Sequence, residues 1–422
     1  MLDLKFIREN FEVVKQAAQN KGEKVDVDTL LELDTQRRHK LQEVEKLKHE
    51  RNVVSQEIGA LKKAGEDASE PITKMQKVAD RIKQIDDEVR TLSDRIRDIQ
   101  VWIPNVPHES TPVGVSEADN LEVKRWGEPA ETDFQPKPHW EVAEKMGLID
   151  FERGSKVAGS FFVSYSGVGA KLERALINFM LDMHVEQHGY REISPPFVVN
   201  RASMFATGQL PKLEEDMYLA QTDDLFLIPT AEVPVTNLHR DEILQEKELP
   251  IYYTGYTPCF RREAGTYGKD TRGLFRIHQF DKVEMVKFVK PETSYDELET
   301  LLAHAEEVLQ KLDLPYRVIT LCTADLSFAA AKCYDIEVWA PGAQKWLEVS
   351  SCSNYEAFQA RRGNIRFRRE ATGKAEFVHT LNGSGLALPR TVIAILENYQ
   401  TDEGTVIVPE VLRKFLGTDV IK

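Results

Sequence analysis

Two parts of the chain differ in the spacing of their apolar residues. Between residues 28 and 103 apolar positions recur every three or four residues, which is the period of one face of an α-helix. From Leu30 to Leu61 this series contains basic residues at three steps, Arg37, Lys40 and Arg51. In the second half every step is apolar, in the series Met75, Val78, Ile82, Ile85, Val89, Leu92, Ile96 and Ile99.

A polar segment, residues 62–71, separates the two halves and contains Gly65 and Pro71. Both residue types interrupt helices, so we predict two long helices that fold back on each other as an antiparallel coiled coil. Each helix would reach roughly 50 Å at 1.5 Å per residue. Because a two-helix hairpin buries only its own seam, we expect it to project as an arm.

Alternative interpretations of this arm stay open. Most heptad series form dimers between chains, although the Gly/Pro interruption favours a hairpin within one chain. The basic residues Arg37, Lys40 and Arg51 either extend out of the seam along their aliphatic stems or form a face that contacts phosphate.

The pattern changes after Trp102, where prolines punctuate a polar stretch that we interpret as a linker, residues 104–135. Residues 136–422 then alternate between strand and helix patterns, which predicts a large α+β domain. The predicted strands are Phe226–Ile228, Tyr252–Phe260, Phe275–Met285, Asp335–Trp339 and Lys345–Ser350. The predicted helices are Leu172–His184, Ser294–Leu312 and Thr391–Tyr399.

Composition narrows the class of protein. With 422 residues, 41% hydrophobic and 29% charged, the chain is expected to be soluble and to form more than one domain. The first residues carry mixed charge and no apolar stretch approaches the length of a membrane span, so we expect neither secretion nor membrane insertion. The four cysteines form no Cys-x-x-Cys pair, which argues against a zinc knuckle or a disulfide framework and favours a reducing cytoplasm.

The net charge of -14 opposes a nucleic-acid partner, but the charge is unevenly distributed. Residues 1–100 hold 20 Lys+Arg and 21 Asp+Glu, whereas the remaining residues hold 35 and 48. The N-terminal part is therefore close to neutral and could present a basic stripe.

Candidate chemistry is densest between Phe260 and Glu284, which reads as a strand, a glycine-containing loop with Gly265 and Gly268, and a second strand. Alternation along a strand predicts that Arg261 and Glu263 share a face. The same rule groups Arg276, His278, Phe280, Lys282 and Glu284. Guanidinium groups match phosphate oxygens and an aromatic ring stacks on a purine, so this face could bind a nucleotide. A solvated hairpin with surface ion pairs is an equally open interpretation.

A second candidate is the stretch Asn382–Thr391, in which small residues lead into an apolar-periodic helix that continues to Glu397. Arg390 stands at the start of this helix, where an arginine could meet a phosphate near the positive end of the helix dipole. The alternative is an ordinary helix start with an incidental arginine.

These stretches carry a resemblance to a known family. Phe260–Glu284 resembles motif 2 of class II aminoacyl-tRNA synthetases, and Gly383–Glu397 resembles motif 3. Gly189–Pro196 is similar to motif 1, which builds the dimer interface in that class. Features similar to seryl-tRNA synthetases in particular are the N-terminal hairpin, which resembles their tRNA-binding arm, and Thr230–Glu232, His278–Glu284 and Glu348–Ser351. The resemblance covers essentially the whole chain.

The resemblance implies an α+β fold, with an antiparallel-sheet class II catalytic domain in residues 136–422 and an N-terminal antiparallel helical arm in residues 1–103. It implies an ATP-dependent serine–tRNA ligase that forms seryl-adenylate from L-serine and transfers the seryl group to the 3′ end of tRNA(Ser), with tRNA(Sec) left open. It also implies a cytoplasmic homodimer that uses Mg²⁺ with ATP, without zinc and without a membrane partner.

Site residues follow from the same resemblance. The implied catalytic residues are Arg261, Glu263 and Arg390. The implied ATP-binding residues are Arg261, Arg262, Glu263, Arg276, Ile277, Phe280, Glu348, Val349, Ser350, Ser351 and Arg390. The implied serine-binding residues are Thr230, Ala231, Glu232, Arg261, Glu284, Asn382 and Ser384, and the implied Mg²⁺ ligands are Glu348 and Ser351.

Competing interpretations exist for single residues and for the whole chain. Thr230 could simply cap a helix, Glu348 could lie on the wet face of a strand, and Ser384 could be selected for its size. The chain could instead be a class II synthetase for another small amino acid such as threonine or proline. It could also be a non-catalytic binding protein, or a coiled-coil scaffold with a globular head.

Overall fold

The computed structural model describes residues 1–263 and 272–422. Within these ranges the chain divides into an N-terminal unit, Leu2–Pro104, and a C-terminal unit that includes Asn105–Lys422. None of the helices in the described ranges combines the length and apolarity that crossing a bilayer requires.

The N-terminal unit is helical, and its helices are α1 (Leu4–Glu9), α2 (Phe11–Asn20), α3 (Val27–Ala64) and α4 (Ser69–Gln100). The Asp26 carboxylate caps α3 by accepting a hydrogen bond from the Thr29 backbone N–H at 2.9 Å. Gly65 ends α3 in a left-handed conformation with φ of 75°. Pro71 lies in the first turn of α4, where its missing N–H breaks no helical hydrogen bond. Gly65 therefore ends one helix, whereas Pro71 belongs to the start of the next.

Helices α3 and α4 pack against each other along the predicted seam. The short connection between them makes the pair antiparallel, as expected of a hairpin within one chain. Residues of the predicted series form its buried contacts, with Leu30, Leu33, Val44, Val54 and Ile58 on α3 and Val78, Ile82, Ile85 and Ile96 on α4. The predicted antiparallel helical arm is confirmed.

The basic residues of the seam have partners within the hairpin. Arg37 Nη2 lies 2.9 Å from Asp34 Oδ1, and the Asp34 side chain is fully buried. Lys40 Nζ lies 2.8 Å from Glu88 Oε2 on the opposite helix. Arg51 is exposed. Ion pairs thus explain two of the three interruptions, and Arg51 is the one that faces solvent.

The C-terminal unit combines one large sheet with several helices. Its helices are α5 (His139–Lys145), α6 (Phe151–Ala158), α7 (Val168–Glu186), α8 (Arg201–Thr207), α9 (Glu232–Thr236), α10 (Ser294–Lys311), α11 (Phe358–Gly363), α12 (Leu388–Asn398) and α13 (Glu410–Leu416). Its strands are β1 (Leu121–Trp126), β2 (Ile149–Asp150), β3 (Ser164–Tyr165), β4 (Arg191–Glu192), β5 (Val198–Asn200), β6 (Leu219–Ala220), β7 (Leu225–Leu227), β8 (Ile243–Gln245), β9 (Ile251–Phe260), β10 (Gln279–Val289), β11 (Tyr316–Thr320), β12 (Lys332–Ala340), β13 (Lys345–Asn354), β14 (Arg366–Arg368), β15 (Ala375–Phe377), β16 (His379–Ala387), β17 (Val406–Ile407) and β18 (Val420–Ile421).

Eight of the strands in the described ranges form a single sheet, in the order β1-β11-β12-β13-β16-β10-β9-β4. Neighbouring strands pair antiparallel except at the edge, where β4 runs parallel to β9. The predicted helices correspond to α7, α10 and α12, and the predicted strands to β7, β9, β10, β12 and β13, with ends that differ by at most four residues. The predicted antiparallel sheet is therefore confirmed.

One strand of the sheet comes from the stretch interpreted as a linker. Strand β1 pairs antiparallel with β11, from Leu121 opposite Thr320 to Trp126 opposite Tyr316. Its burial pattern is almost wholly exposed, so it lacks the alternation of apolar residues that marks a half-buried strand. This is the reason that the sequence pattern did not predict it.

The apolar core joins the sheet to helices α7, α10 and α12. Met180, Leu301 and Ile395, one from each helix, are fully buried in a single cluster. The same cluster includes Met285 of β10 and Val349 of β13. Two strands that carry candidate site residues are thereby fixed against a rigid layer of helices.

Candidate active site

A cavity of ≈ 280 Å³ lies where β10, β13 and β16 meet the starts of α9 and α12. Most of the residues proposed from the sequence line this one space. They are Thr230, Glu232, Arg261, Glu263, Arg276, Ile277, Phe280, Glu284, Glu348, Val349, Ser351, Asn382, Ser384 and Arg390.

A bulge in β13 brings Glu348 and Ser351 to the same cavity. Residues three apart on a regular strand point to opposite faces. Here Ser350 pairs with Ile336 and Glu348 pairs with Glu337, which leaves one extra residue on β13. The extra residue reverses the alternation, so Glu348 and Ser351 both line the pocket.

A second bulge shapes β16. Val283 pairs with Leu386 and Glu284 pairs with Ser384, so Gly385 is the extra residue on this strand. A Cβ atom at Gly385 would lie 2.3 Å from Nε2 of His184, which explains why glycine is required there.

The end of β9 presents a guanidinium group to the cavity. The backbone N–H of Arg261 donates to the His278 carbonyl at 2.9 Å, and Arg261 Nε donates to the Pro229 carbonyl at 3.3 Å. The Arg261 guanidinium lies over the Phe280 ring, 5.2 Å from its centroid. Two fixed carbonyls and an aromatic face therefore hold a positive charge at the cavity wall.

Glu263 and Arg276 form an ion pair beside this arginine. Arg276 Nη1 lies 3.0 Å from Glu263 Oε2. Arg261 and Glu263 line one cavity, as the alternation predicted, but they do not lie on a strand, because β9 ends at Phe260 and β10 begins only at Gln279. Glu263 has a left-handed backbone with φ of 52°, so its side chain reaches the cavity through a turn of the chain.

The start of α12 supplies the second arginine. Pro389 and Arg390 occupy the first turn of this helix, where proline is well tolerated. Arg390 Nη1 donates to the Glu348 carbonyl at 2.6 Å and lies 3.1 Å from Glu348 Oε2. Arginine and glutamate from two elements thus meet at one end of the cavity.

The other end of the cavity holds two buried acidic side chains, Glu232 and Glu284. Glu284 Oε2 lies 2.5 Å from Lys282 Nζ and accepts a hydrogen bond from Thr230 Oγ1 at 3.1 Å. Thr230 Oγ1 also accepts from the Glu232 backbone N–H at 3.2 Å, at the start of α9. Thr230 therefore contacts the pocket carboxylate and the first backbone N–H of α9 together, although the N-cap position of this helix is Ala231.

Glu232 faces Glu284 across this end of the pocket. Burial, followed by the charge of Glu284, raises the pKa of the Glu232 carboxyl to about 7. Nδ2 of Asn382 is buried beside the Glu232 carboxyl and acts to lower its pKa, but in the part of the chain that the structure describes it makes no hydrogen bond of normal geometry. A buried donor without an acceptor is costly, so this amide is suited to a bound polar group.

The donor set of Glu348 and Ser351 fits a hard cation. Both supply oxygen, which Mg²⁺ prefers, and Mg²⁺ commonly takes one or two protein ligands together with water and phosphate oxygens. Among residues 1–263 and 272–422 there is no group of three or more His, Cys, Asp or Glu side chains that could hold a metal ion by itself. A cation at Glu348 would therefore need oxygens from a ligand.

Several known proteins are similar to this chain over its whole length. Residues 215–399 match the family described as tRNA synthetase class II core domain (G, H, P, S and T), and residues 1–107 match the seryl-tRNA synthetase N-terminal domain. A serine–tRNA ligase of Caldanaerobacter subterraneus subsp. tengcongensis is 61% identical over 422 residues, which is 100% of this chain and 99% of the relative. The chain belongs to the serine–tRNA ligase family.

Further relatives agree with this assignment. A serine–tRNA ligase of Bacillus subtilis is 60% identical over 418 residues, covering 99% of this chain and 98% of the relative. The crystal structure of seryl-tRNA synthetase from Pyrococcus horikoshii complexed with ATP matches with a TM-score of 0.95 and 41% identity, covering 100% of this chain and 99% of that chain. The family and the fold class predicted from the sequence motifs are confirmed.

Three residues proposed for the serine–tRNA ligase site lie outside the lining of the cavity. Ser350 is buried behind it and donates to the Ser384 carbonyl at 2.6 Å. Ala231 is fully buried in an apolar cluster. Arg262 donates from Nε to the Met217 carbonyl at 3.1 Å. In each case the neighbouring residue of the same motif reaches the cavity instead.

Some residues that line the cavity of this serine–tRNA ligase family member were not assigned a binding role from the sequence. Lys282, Ser353 and Tyr355 line the cavity. Alternation from Glu284 already indicated Lys282, whereas Ser353 and Tyr355 follow the β13 bulge, which has no marker in the sequence. The loop glycines Gly265 and Gly268 lie outside the described residues.

Proposed function

We propose that the protein activates L-serine with ATP, forming seryl-adenylate and pyrophosphate, and transfers the seryl group to the 3′ end of tRNA(Ser). The observation that carries this proposal is the polarity of one cavity. One end holds the guanidinium groups of Arg261, Arg276 and Arg390, and the other holds the buried carboxylates of Glu232 and Glu284. A nucleoside triphosphate and an amino acid ammonium group require opposite charges of this kind.

The cationic end suits the nucleotide. Arg261 would bind the α-phosphate, Arg390 the γ-phosphate, and Arg276 would support a bent triphosphate. Phe280, whose ring lies beneath the Arg261 guanidinium, would stack on adenine, and Glu263 would help to hold the base. Glu263 pairs with Arg276 and Glu348 pairs with Arg390, so ATP binding would replace these two protein ion pairs with phosphate contacts.

The acidic end suits the zwitterion of serine. Glu232 and Glu284 would bind the ammonium group, while the hydroxyl would contact Glu284, Ser384 or the Asn382 amide. Alanine would leave these buried polar groups without a partner, which disfavours it strongly. Threonine adds only a methyl group, and size exclusion by itself discriminates less well.

The reaction needs no covalent enzyme intermediate. A serine carboxylate oxygen attacks the α-phosphorus, the bond between the α-phosphorus and the α,β-bridging oxygen breaks, and pyrophosphate leaves with that oxygen. Arg261 stabilises the charge that develops on the α-phosphoryl oxygens, and Arg390 holds the leaving pyrophosphate. The ribose hydroxyl at the 3′ end of tRNA then attacks the seryl carbonyl and releases AMP.

Mg²⁺ belongs to the proposal as the ion that accompanies ATP. Glu348 and Ser351 would hold it, as their oxygen donors fit. When bound, it neutralises phosphate charge that develops on pyrophosphate. Glu348 would exchange its contact with Arg390 for this role.

Three further elements complete the proposal. The helical arm α3–α4 would bind tRNA(Ser), with tRNA(Sec) as an open second substrate. A homodimer would form through Gly189–Pro196, which includes the edge strand β4. A reducing cytoplasm is proposed from the cysteine usage, and all four cysteines are buried free thiols.

Amino-acid-dependent ATP–pyrophosphate exchange tests the activation step. Serine, threonine, alanine, glycine, cysteine and proline would be assayed in parallel, and we expect exchange with serine. Exchange with threonine or proline instead would assign the chain another specificity. A folded protein that binds ATP but exchanges with none of them would be a binding protein, and the proposal would fail.

A further inference from the structure

We propose that Gln359 is a positioning residue for serine recognition, which fixes the Glu232 carboxylate from behind the pocket. This inference rests on the proposed function. Gln359 lies on α11, is fully buried, and does not line the cavity. It can therefore act on the substrate only through Glu232.

Three hydrogen bonds hold the Gln359 side chain. Nε2 donates to Glu232 Oε1 at 2.6 Å and to the Thr207 carbonyl at 3.1 Å. Oε1 accepts from Thr380 Oγ1 at 2.7 Å. Reversing the amide would place its oxygen against a carboxylate and a carbonyl, which donate nothing. The partners thus determine the orientation of the amide, with one N–H directed at Glu232 and the other at the Thr207 carbonyl.

The element that carries Gln359 is itself anchored. Arg362, one turn further along α11, donates from Nη1 to the Phe205 carbonyl at 3.2 Å and to the Leu210 carbonyl at 2.9 Å. Thr207 is the last residue of α8, and Thr380 lies in β16, which also carries Asn382 and Ser384. The position of Gln359 is therefore tied to the same strand as the pocket residues.

An uncharged donor has a specific advantage behind Glu232. The carboxylate must stay ionised to attract an ammonium group, and a hydrogen bond to the ionised form favours it. A lysine or arginine in this position would favour ionisation too, but its charge would cancel the attraction for the substrate. The Gln359 amide orients one carboxylate oxygen and leaves the negative charge of Glu232 for serine.

The first test replaces the amide with an apolar group of similar size, Gln359→Met. We expect the KM for serine in pyrophosphate exchange to rise about 10- to 100-fold, which corresponds to the loss of one hydrogen bond to a charged group. The KM for ATP should stay within about twofold, because Gln359 has no contact with the nucleotide end. Gln310→Met is the matched control, since Gln310 lies on α10 and its Nε2 donates to the Tyr316 hydroxyl on β11 at 2.8 Å, away from the pocket.

A second variant, Thr380→Val, removes the hydroxyl that orients the amide but keeps the size of the side chain. Thr380→Val should also raise the serine KM. The effect of Thr380→Val should disappear in the Gln359→Met background, because Thr380 acts only through Gln359. This variant keeps the inference testable if Gln359→Met folds poorly.

The pH profile separates a positioning role from a structural one. Groups that face Glu232 are Glu284 and Lys282 of β10, Asn382 of β16 and Gln359 itself. In the wild-type protein serine KM should rise as the pH falls below about 7. Without the Gln359 donor the rise should begin at higher pH, because the ionised form of Glu232 loses its hydrogen bond.

Each outcome decides one question. A higher serine KM with an unchanged ATP KM and a shifted pH profile supports the inference. An unchanged serine KM in folded Gln359→Met or Thr380→Val overturns it, and so does an equal change in both KM values. If the wild-type protein fails to exchange with serine, the proposed function fails first and the inference fails with it.

Discussion

Lys282 Nζ lies 2.5 Å from Glu284 Oε2, and the two side chains are 8% and 3% exposed. Both residues line the candidate serine pocket, one step of alternation apart on β10. A buried ion pair is costly to break from one side, because the remaining charge is left without compensation. Lys282 therefore links the serine-binding role proposed for Glu284 to the stability of the pocket.

Glu284→Ala should abolish serine-dependent pyrophosphate exchange and lower the free energy of unfolding by about 3 kcal/mol, since Lys282 is left buried and unpaired. The double variant Lys282→Met with Glu284→Ala should regain much of that stability without regaining exchange. Exchange assays and urea denaturation measure the two quantities. If Glu284→Ala shows pyrophosphate exchange at the wild-type rate, the role proposed for Glu284 is wrong.

Gly385→Ala tests the bulge that carries Ser384. The added Cβ would lie 2.3 Å from His184 Nε2, and His184 is fully buried, so the strand has to move. We expect a loss of about 1–3 kcal/mol in the free energy of unfolding and a higher KM for serine. The cost should be smaller in a His184→Ala background, where the clash is absent.

Gly59→Ala is the matched control for that substitution. Gly59 lies inside α3, and an added Cβ would have nothing within 4 Å. Alanine should stabilise the helix by about 0.5–1 kcal/mol and leave exchange unchanged. Equal destabilisation of both variants in thermal unfolding would contradict the explanation by His184.

The sequence predicted the periodic parts of this fold. The seam residues of α3 and α4, such as Ile58 and Ile85, follow one helical spacing from end to end, so pattern is enough to identify both helices. Strands with one apolar face were found for the same reason. Strand β1 was not predicted, because both of its faces are almost wholly exposed.

The site shows where pattern reasoning ends. Alternation correctly groups Lys282 with Glu284, both on β10, but it places Glu348 and Ser351 on opposite faces unless the bulge in β13 is known. Gln359 lies far along the chain from Glu232, and nothing in either local sequence pairs them. Bulges and long-range hydrogen bonds depend on tertiary packing, whereas motif resemblance reaches such residues only by analogy.

Acid should destabilise the protein through His184. Burial, and then the charge of His188, lowers the pKa of His184 to about 3, so this ring is neutral when folded. The unfolded chain takes up a proton below about pH 6.5, and the stability contributed by His184 is lost progressively as the pH falls from there towards about 3. By pH 4 the loss should be about 3 kcal/mol.

The variant His184→Gln should flatten the decrease in melting temperature between pH 7 and pH 4. His49→Gln, which changes an exposed histidine on α3, should leave the decrease as it is. Glu232 has the opposite effect on stability. Because its pKa is raised to about 7 in the folded protein, its contribution to the free energy of unfolding falls as the pH rises. Comparing the variants with the wild type at each pH isolates the effect of His184. If the melting temperature falls equally with pH in the wild type, His184→Gln and His49→Gln, His184 is not the group responsible.

Removal of residues 28–103 should separate the two steps of the reaction. All residues that line the cavity belong to the unit that includes Asn105–Lys422, whereas α3 and α4 belong to the unit Leu2–Pro104. Serine-dependent pyrophosphate exchange should therefore persist in the deletion variant, and tRNA charging should fall.

A single substitution gives a sharper form of this test. Arg51 is the exposed basic residue of the α3 seam series, so Arg51→Glu should weaken tRNA charging through the loss of a phosphate contact. The defect should shrink as the salt concentration rises, because the phosphate contact that the variant lacks is screened in the wild-type protein as well, while exchange stays at the wild-type rate. Glu57→Gln, an exposed change on the same helix, serves as the control. If deletion of the whole arm leaves charging intact, the arm is not the element that recognises tRNA; if only Arg51→Glu is without effect, the arm binds through other residues.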